Sequence, residues 1–382
     1  MKIVLAPDSF KESLAAAEVA AALAEGLALV LPAAHLVCVP VADGGEGTLD
    51  ALLAATGGHE HHVSVHGPRA GMVSARLGVL GGGDVAVIES AQAAGLALVP
   101  PDARDPLRTT SYGIGELVLA ALDLGLRRFV VCLGGTATVD GGAGMLQALG
   151  AVFLDARGRS LAAPLRGADL AQVASVRLDG FDARIAASDF QIACDVDNPL
   201  TGPLGAAAVF GPQKGATPAQ VPRLDAGLDT LHRALAASTG RQVAEVPGAG
   251  AAGGLGAAAM ACLPGALRPG IELVMAAVDL AGHLADADVV VTGEGRVDSQ
   301  TLHGKAPAGV ARLARTLGVP VVAIGGSLPA ERDLLLAPTF DAFEAVVTAP
   351  CTLAEALADA RPMLVAAGVR LGRWLKLLDA RA

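Results

Sequence analysis

The sequence predicts an α/β protein of two domains, a parallel sheet assembled from both chain ends and a second domain with a mixed sheet inserted between them. Three observations carry this. Short apolar, β-branched runs at 2–5, 35–41 and 287–292 each break into a polar or glycine-rich loop and restart as an Ala- or Leu-rich helix, and a further run at 319–324 ends in GGS. From about residue 61 the texture changes to alternation, in HHVSVHG and MVSARLGVLGGGDVAVIES with a glycine tip at 81–83, which reads as antiparallel strands. Hydrophobic residues make up 53% of the chain but aromatics only 3%, so the core must be Ala, Val, Leu and Ile, while 48 glycines gather in clusters that suit backbone-lined loops. The domains are expected at 1–63 plus 287–382 and at 64–286, with a cleft between them collecting the loops.

Composition narrows the partners. A length of 382 residues suits roughly two to three domains. A net charge of −10 argues against nucleic acid and against an anionic membrane surface, but not against a small anion met by local lysines. No apolar run reaches the roughly 18 residues of a membrane span, and KIVLAP opens as a strand, so a cytoplasmic protein is expected. The five cysteines contain no CxxC pair and read as reduced thiols.

Taken in order, strand 2–5 runs into APDSFKES and a helix over 14–29. That places Asp8, Ser9, Lys11 and Ser13 at the C-terminal end of a strand, where open α/β sheets put ligands, although Ser13 would also serve as a helix cap. Strand 35–41 runs into ADGGEGTLDALLAA, where Asp43 is either a cap or a site residue. His59, His61, His62 and His66 meet no fixed metal-ligand spacing. RTTSYG precedes a helix over 114–124, as cap region or substrate contact.

Next, RRFVVC reads as a buried strand entering LGGTATVDGGAGMLQAL. Here Gly134, Gly135, Gly141, Gly142 and Gly144, with Thr136 and the single carboxylate Asp140, lead into a helix. Bare N–H groups at a helix N-terminus hold phosphate, whereas the plainer alternative is a tight turn with no ligand. Strand 190–193 ends in CDVDNPLTG; if it continues, Asp195 and Asp197 share a face as a metal-binding or proton-accepting pair. Lys214 lies in the loop VFGPQKGATP, surface lysine or site residue. GAGAAGGLGAAAMACL is a second glycine loop opening a helix, followed by a linking helix near 269–284.

Strand 287–292 leads into GEGRVDSQTLHGKAPAGVARLA, which packs Glu294, Arg296, Asp298, Gln300, Thr301, His303 and Lys305 into twelve residues. A lysine beside the N-terminus of the helix that follows is unfavourable unless an anion is shared there, so removing Lys305 is expected to leave folding intact or slightly improved. Further strands at 319–324 and 345–348 and a helix over 353–377, with Pro362 inside it, complete the chain.

APDSFKES, VPVADGGEGT, ALGA, CDVDNPLTG, VFGPQKGATP, GAGAAGGLGAA and VVTGEGRVDSQTLHGK resemble, in this order from residue 1 to about 327, the bacterial glycerate kinases of the type-1 family. TATVDGG stands where that family commonly has SATNDGG, so position 139 lacks the usual amide, and ESAQAAGL varies from EMAAASGL. The resemblance implies two α/β domains, one flavodoxin-like, and ATP-dependent phosphorylation of D-glycerate, with 2-phosphoglycerate the more frequent product and 3-phosphoglycerate the other. D-glycerate and a nucleotide are then the partners, without nucleic acid or membrane, and a homodimer is left open.

No Walker A pattern and no HRD or DFG set is present, so the phosphate cradle must be of another kind. The N–H groups of 134–144 and 253–256, with Gly134, Gly135, Thr136, Asp140, Gly141, Gly142, Gly253, Gly254 and Glu294, are expected at ATP. Lys11 and Lys305 supply point charges for phosphate. Asp195 or Asp197 accepts the hydroxyl proton or holds Mg2+. Arg296, or Ser9 with Lys11, holds the glycerate carboxylate, and Asp8, Asp43 and Asp298 complete the substrate set. A nicotinamide-dependent hydroxyacid dehydrogenase would need GxGxxG after the first strand, which has APDSFKES instead. A non-catalytic binding regulator would not need so many loop carboxylates and lysines.

Overall fold

The computed structural model describes residues 1–69, 71–302, 305–329 and 331–379. In chain order its strands are β1 (Lys2–Leu5), β2 (His35–Cys38), β3 (His59–His66), β4 (Met72–Val79), β5 (Val85–Glu89), β6 (Arg128–Cys132), β7 (Val152–Leu154), β8 (Ser175–Arg177), β9 (Asp189–Ala193), β10 (Gly265–Arg268), β11 (Val289–Arg296), β12 (Val321–Ser327) and β13 (Ala342–Ala345). The chain divides into a first unit, Met1–Asp43 with Asp50–Gly57 and Ile271–Ala382, and a second unit, Gly44–Leu49 with Gly58–Gly270.

The first unit is a five-stranded sheet in the order β13-β12-β11-β1-β2, parallel throughout. Counted within the unit this is 2-1-3-4-5, the flavodoxin-like order. The sequences explain it: IVL in β1, VVVT in β11 and VVAI in β12 are near-continuous apolar runs, as strands covered on both faces require, and Ile3, Val4, Leu5, Val290, Val291 and Ile324 are fully buried. The edge strand β2, HLVC, is only half-buried. Helices Ala16–Ala28 and Ala360–Asp379 pack against each other, and Gly26 sets their spacing: a Cβ there would lie 2.0 Å from the Val365 carbonyl oxygen. Ser13 is not the cap of the first helix; its hydroxyl donates to the Leu357 carbonyl, and Glu18 reaches back to the Ala15 N–H instead.

The single C-terminal helix expected over 353–377 is two helices, Leu353–Ala358 and Ala360–Asp379. Thr352 and Glu355 cap the first reciprocally. Pro362 falls in the first turn of the second, where its missing N–H costs no helical hydrogen bond.

The second unit holds a six-stranded mixed sheet, β10-β9-β6-β5-β4-β3, and a separate β7-β8 ribbon. β5, β6, β9 and β10 run parallel, while β4 is antiparallel to β5 and to β3. Phe129 and Phe190 stack on adjacent strands, ring centroids 4.4 Å apart. β3 pairs with β4 along its whole length, from His59↔Val79 to His66↔Met72, so the change of sheet falls at residue 59, not at 64. At the far side, residues 271–286 group with the first unit. Register brings Glu89, Cys132 and Ala193 level, so the loops after β5, β6 and β9 leave the sheet side by side. No helix among the described residues is long and apolar enough to cross a membrane.

Candidate functional site

In the first unit the strand order reverses between β1 and β11, and the loops after those two strands therefore diverge and leave a crevice at their carboxyl ends. The loop after β1 continues to pair with its neighbour: the Ala6 and Asp8 N–H groups donate to the Val291 and Gly293 carbonyls, both at 2.8 Å. This carries Asp8 inward, where only 5% of it is exposed and its Oδ1 accepts the Ser9 N–H at 2.6 Å. Its carboxyl is pushed up to about 7, first by burial and then by the Asp43 carboxylate; Glu294 adds to the push, and the Ser9 N–H and Lys11 oppose it. Beyond it Lys11 is exposed, and Glu12 adopts a left-handed φ of +66°, a conformation costly for a residue with a Cβ.

The loop after β11 is braced from within. Buried Glu294 accepts the Thr301 hydroxyl at 2.7 Å and the Lys305 ammonium at 2.8 Å. The Asp298 N–H donates to the Thr301 oxygen at 2.9 Å, and Arg296, largely exposed, pairs with Asp298 at 3.1 Å. Lys305 is the N-cap of helix Ala306–Thr316. A cavity of about 790 Å³ opens here, lined by Ser9, Lys11, Glu294, Arg296, Asp298 and Lys305 and by residues from the stretch 346–360. Asp8 and Asp43 are not among its lining residues. His303 lies outside the described residues.

In the second unit the loop after β6 is built around Asp140, which is fully buried. Its Oδ2 accepts the Ser111 N–H and hydroxyl, both at 2.7 Å, and the Gly144 N–H at 3.3 Å; its Oδ1 accepts the Gly142 N–H at 3.2 Å. Burial pushes this carboxyl up, and those hydrogen bonds oppose the push. The Gly141 N–H donates to the Gly253 carbonyl at 3.0 Å. Gly253 itself must be glycine: its φ is +72° and a Cβ would lie 2.0 Å from the Thr138 oxygen.

The N–H groups of Gly141, Gly142 and Gly144, expected to meet phosphate, are therefore spent inside the protein. Asp140, Gly253 and Gly254 are likewise enclosed, holding two glycine loops together. Of the first loop, Gly134 is half-exposed and Gly135 exposed, with Thr136 beneath them. Val139 is fully buried in the core. The hydroxyl cluster at 109–111 is likewise structural in Ser111, which clamps Asp140.

β9 ends at Ala193, so Asp195 and Asp197 sit on an irregular segment, not on one face of a strand. Both are exposed, and Asp195 accepts the Gly270 N–H at 2.8 Å. Among the described residues no group of three His, Cys, Asp or Glu side chains is arranged to hold a metal ion.

Lys214, by its sequence a surface lysine or a site residue, lies inside the second unit. It is 3% exposed, and its Nζ donates to the Thr138 carbonyl at 2.7 Å and to the Thr136 hydroxyl at 3.1 Å. Burial pulls the amine down to about 7, against the attraction of Asp140. The amine thus ties Thr136 and Thr138, the buried part of the glycine loop, from within the protein. Its only local signal was a lysine between turn residues, and its partners lie far off in the chain.

A family model described as the glycerate kinase family matches residues 3–376. The chain is 48% identical over 360 residues to glycerate 2-kinase of Escherichia coli (strain K12), an alignment covering 94% of either chain. It is 46% identical over 384 residues to glycerate kinase of Bacillus subtilis (strain 168), covering 99% of this chain and 100% of that one. A crystal structure from Salmonella typhimurium LT2, provisionally described as glycerate kinase 2, matches with a TM-score of 0.91 at 47% identity, over 100% of this chain and 99% of the other. The flavodoxin-like sheet, the inserted mixed sheet and the loops they carry are thus shared along the whole length, and the chain belongs to the glycerate kinase family.

Proposed function

We propose that this chain transfers the γ-phosphoryl group of ATP to D-glycerate and releases 2-phosphoglycerate. Phosphoryl transfer asks a protein for positioning and charge neutralisation more than for covalent chemistry. The observation that carries the reading is the gathering of Lys11, Arg296 and Lys305 around one cavity at the switch point of a parallel sheet, in a chain of this family. The name of the Escherichia coli relative supports the 2-phospho product.

The cations hold anionic groups of the reactants, and Lys305, preorganised by Glu294, meets the charge that grows on the transferring phosphoryl group. Asp8, Ser9, Asp43 and Asp298 are the polar residues assigned to orienting glycerate. In the second unit, Gly134, Gly135 and Thr136 are the part of the glycine loop left able to meet a reactant. Asp195 or Asp197 accepts the hydroxyl proton or holds Mg2+. Two exposed carboxylates on a loop fit that ion, which keeps several waters and shares phosphate oxygens in place of a closed protein cage. When bound, it would neutralise phosphate charge. A cytoplasmic setting follows from the same reading.

The test is ADP release with D-glycerate, L-glycerate and no acceptor, followed by proton-coupled phosphorus NMR of the product. D-glycerate-dependent release and a doublet, from one methine proton, are expected. Release no faster than without acceptor overturns the kinase reading, and a triplet, from a methylene pair, overturns the regiochemistry.

A further inference from the structure

The cavity of the first unit has two unlike walls. One bears Lys11, Arg296 and Lys305, but also Glu12, Glu294 and Asp298. Arg296 pairs with Asp298 and Lys305 with Glu294, so this wall is close to neutral overall and is no general trap for small anions. The lining residues from 346–360 form the second wall and are mostly apolar, Val346, Val347, Leu353, Ala356 and Leu357 beside Cys351 and Thr352, while Phe10, Val297, Leu328 and Pro329 add further apolar lining. Leu353 opens helix Leu353–Ala358 and leaves 73% of its surface to solvent, although the Thr352–Glu355 cap holds that helix without help from the leucine side chain. The Ser13 hydroxyl ties the walls together through the Leu357 carbonyl at 3.1 Å.

Glycerate has three carbons, each bearing oxygen, and nothing to set against an aliphatic wall. It would also occupy a small corner of about 790 Å³, a volume within the range of roughly 300–1,000 Å³ typical of larger organic ligands. A nucleotide matches both walls, with a planar base for the apolar one and phosphates for the cations. We propose that this cavity is the adenine-nucleotide subsite, with the base against residues 346–360 and the phosphates toward Lys11 and Lys305. The inference rests on the kinase reading above and deepens it. It withdraws Arg296, Asp298 and the Ser9–Lys11 pair from glycerate, and it agrees with the glycine loop of the second unit having spent the N–H groups of Gly141 and Gly142 internally.

The experiment is direct binding of adenosine, ADP and inorganic tripolyphosphate to the full chain by calorimetry, beside steady-state kinetics, for the parent and Leu353→Ser. Melting temperature confirms that the exposed substitution leaves the fold intact. Adenosine and ADP are expected to weaken by a common factor on the order of tenfold, as loss of a leucine contact predicts. Tripolyphosphate binding and the KM for D-glycerate stay within twofold. Ala356→Met, which adds volume where Leu353→Ser removes it, weakens ADP in the same direction. ADP binding within twofold of the parent in both variants overturns the subsite, as does a parent that binds no ADP or a rise confined to the glycerate KM. Turnover with glycerate alongside unchanged ADP binding sinks the subsite and leaves the kinase reading standing; weakened ADP binding without glycerate turnover does the reverse.

Discussion

Asp8→Asn isolates one buried charge. The native carboxyl is pushed up to about 7 from an ordinary 3.8, chiefly by burial. Between those values the folded chain keeps a proton that the unfolded chain has lost. Stability is therefore fully present below about 3.8, falls as pH rises, and levels off once pH passes about 7. Each pH unit in that window is worth about 1.4 kcal/mol, so from pH 5 to pH 8 the parent loses roughly 2.5 kcal/mol through this group. Asparagine has the same shape, still accepts the Ser9 N–H and does not titrate. The variant should thus gain on the parent by roughly 2.5 kcal/mol between pH 5 and pH 8. Lys214, whose lowered amine makes stability rise above about pH 7, is present in both proteins and cancels.

Urea unfolding at pH 5, 6, 7 and 8 reads this out. It is followed by far-UV circular dichroism and by Trp374, the sole tryptophan, which lies in the first unit. A gap between variant and parent that stays within 0.5 kcal/mol across the series refutes the reasoning. So does a gap of the opposite sign, which would mean that Asp8 is ionised and held by Lys11. Activity should move against stability: a carboxylate kept ionisable at a cost to folding belongs to a site, and kcat/KM should fall while the protein becomes more robust.

Three further outcomes are expected. Lys305→Ala should lower kcat on the order of 10²–10³-fold. Because Lys305 neutralises buried Glu294 at 2.8 Å, it should also destabilise by about 1–3 kcal/mol, where the helix-dipole argument alone expected no loss; a melting temperature equal to the parent's would contradict this. Asp140→Asn puts an amide donor against Ser111 and the glycine N–H groups and should cost about 2–4 kcal/mol in denaturant unfolding, so a neutral result would mean the clamp carries little. Excess EDTA should stop phosphoryl transfer and added Mg2+ restore it, and full turnover with metal removal confirmed would exclude the ion.

The fold was legible where burial is two-sided. IVL near the start of the chain and VVVT and VVAI near its end are near-continuous apolar runs of the kind that covered strands show, and β11 lies between β1 and β12 in one sheet. Legibility failed where pairing, not composition, decides. HEHHVSVH alternates like any surface strand, and nothing local says that all eight residues follow β4 and move the change of sheet to 59. The break between Ala358 and Ala360 is different, because it had a local signal: Pro362 has no N–H for the Ala358 carbonyl and its ring clashes there, so one helix ends and a second starts with the proline in its first turn.

For the site, the sequence showed where polar groups crowd but not what they had already bound. The cluster from Glu294 to Lys305 stood out by density alone, and Glu294, Arg296, Asp298 and Lys305 of it line the cavity, while Thr301 braces Glu294 from within. The glycine loop stood out equally, yet Asp140, 29 residues from Ser111, consumes the N–H groups that made the loop look like a phosphate cradle. Lys214, by contrast, looked ordinary, because its partners lie 76 and 78 residues away. A hydrogen bond uses up a donor at whatever separation in the chain it is made, and a motif describes only donors present before that accounting. Glycine-rich turns in this family are therefore better judged by which N–H groups remain unspent, and here the first loop leaves that question to Gly134 and Gly135.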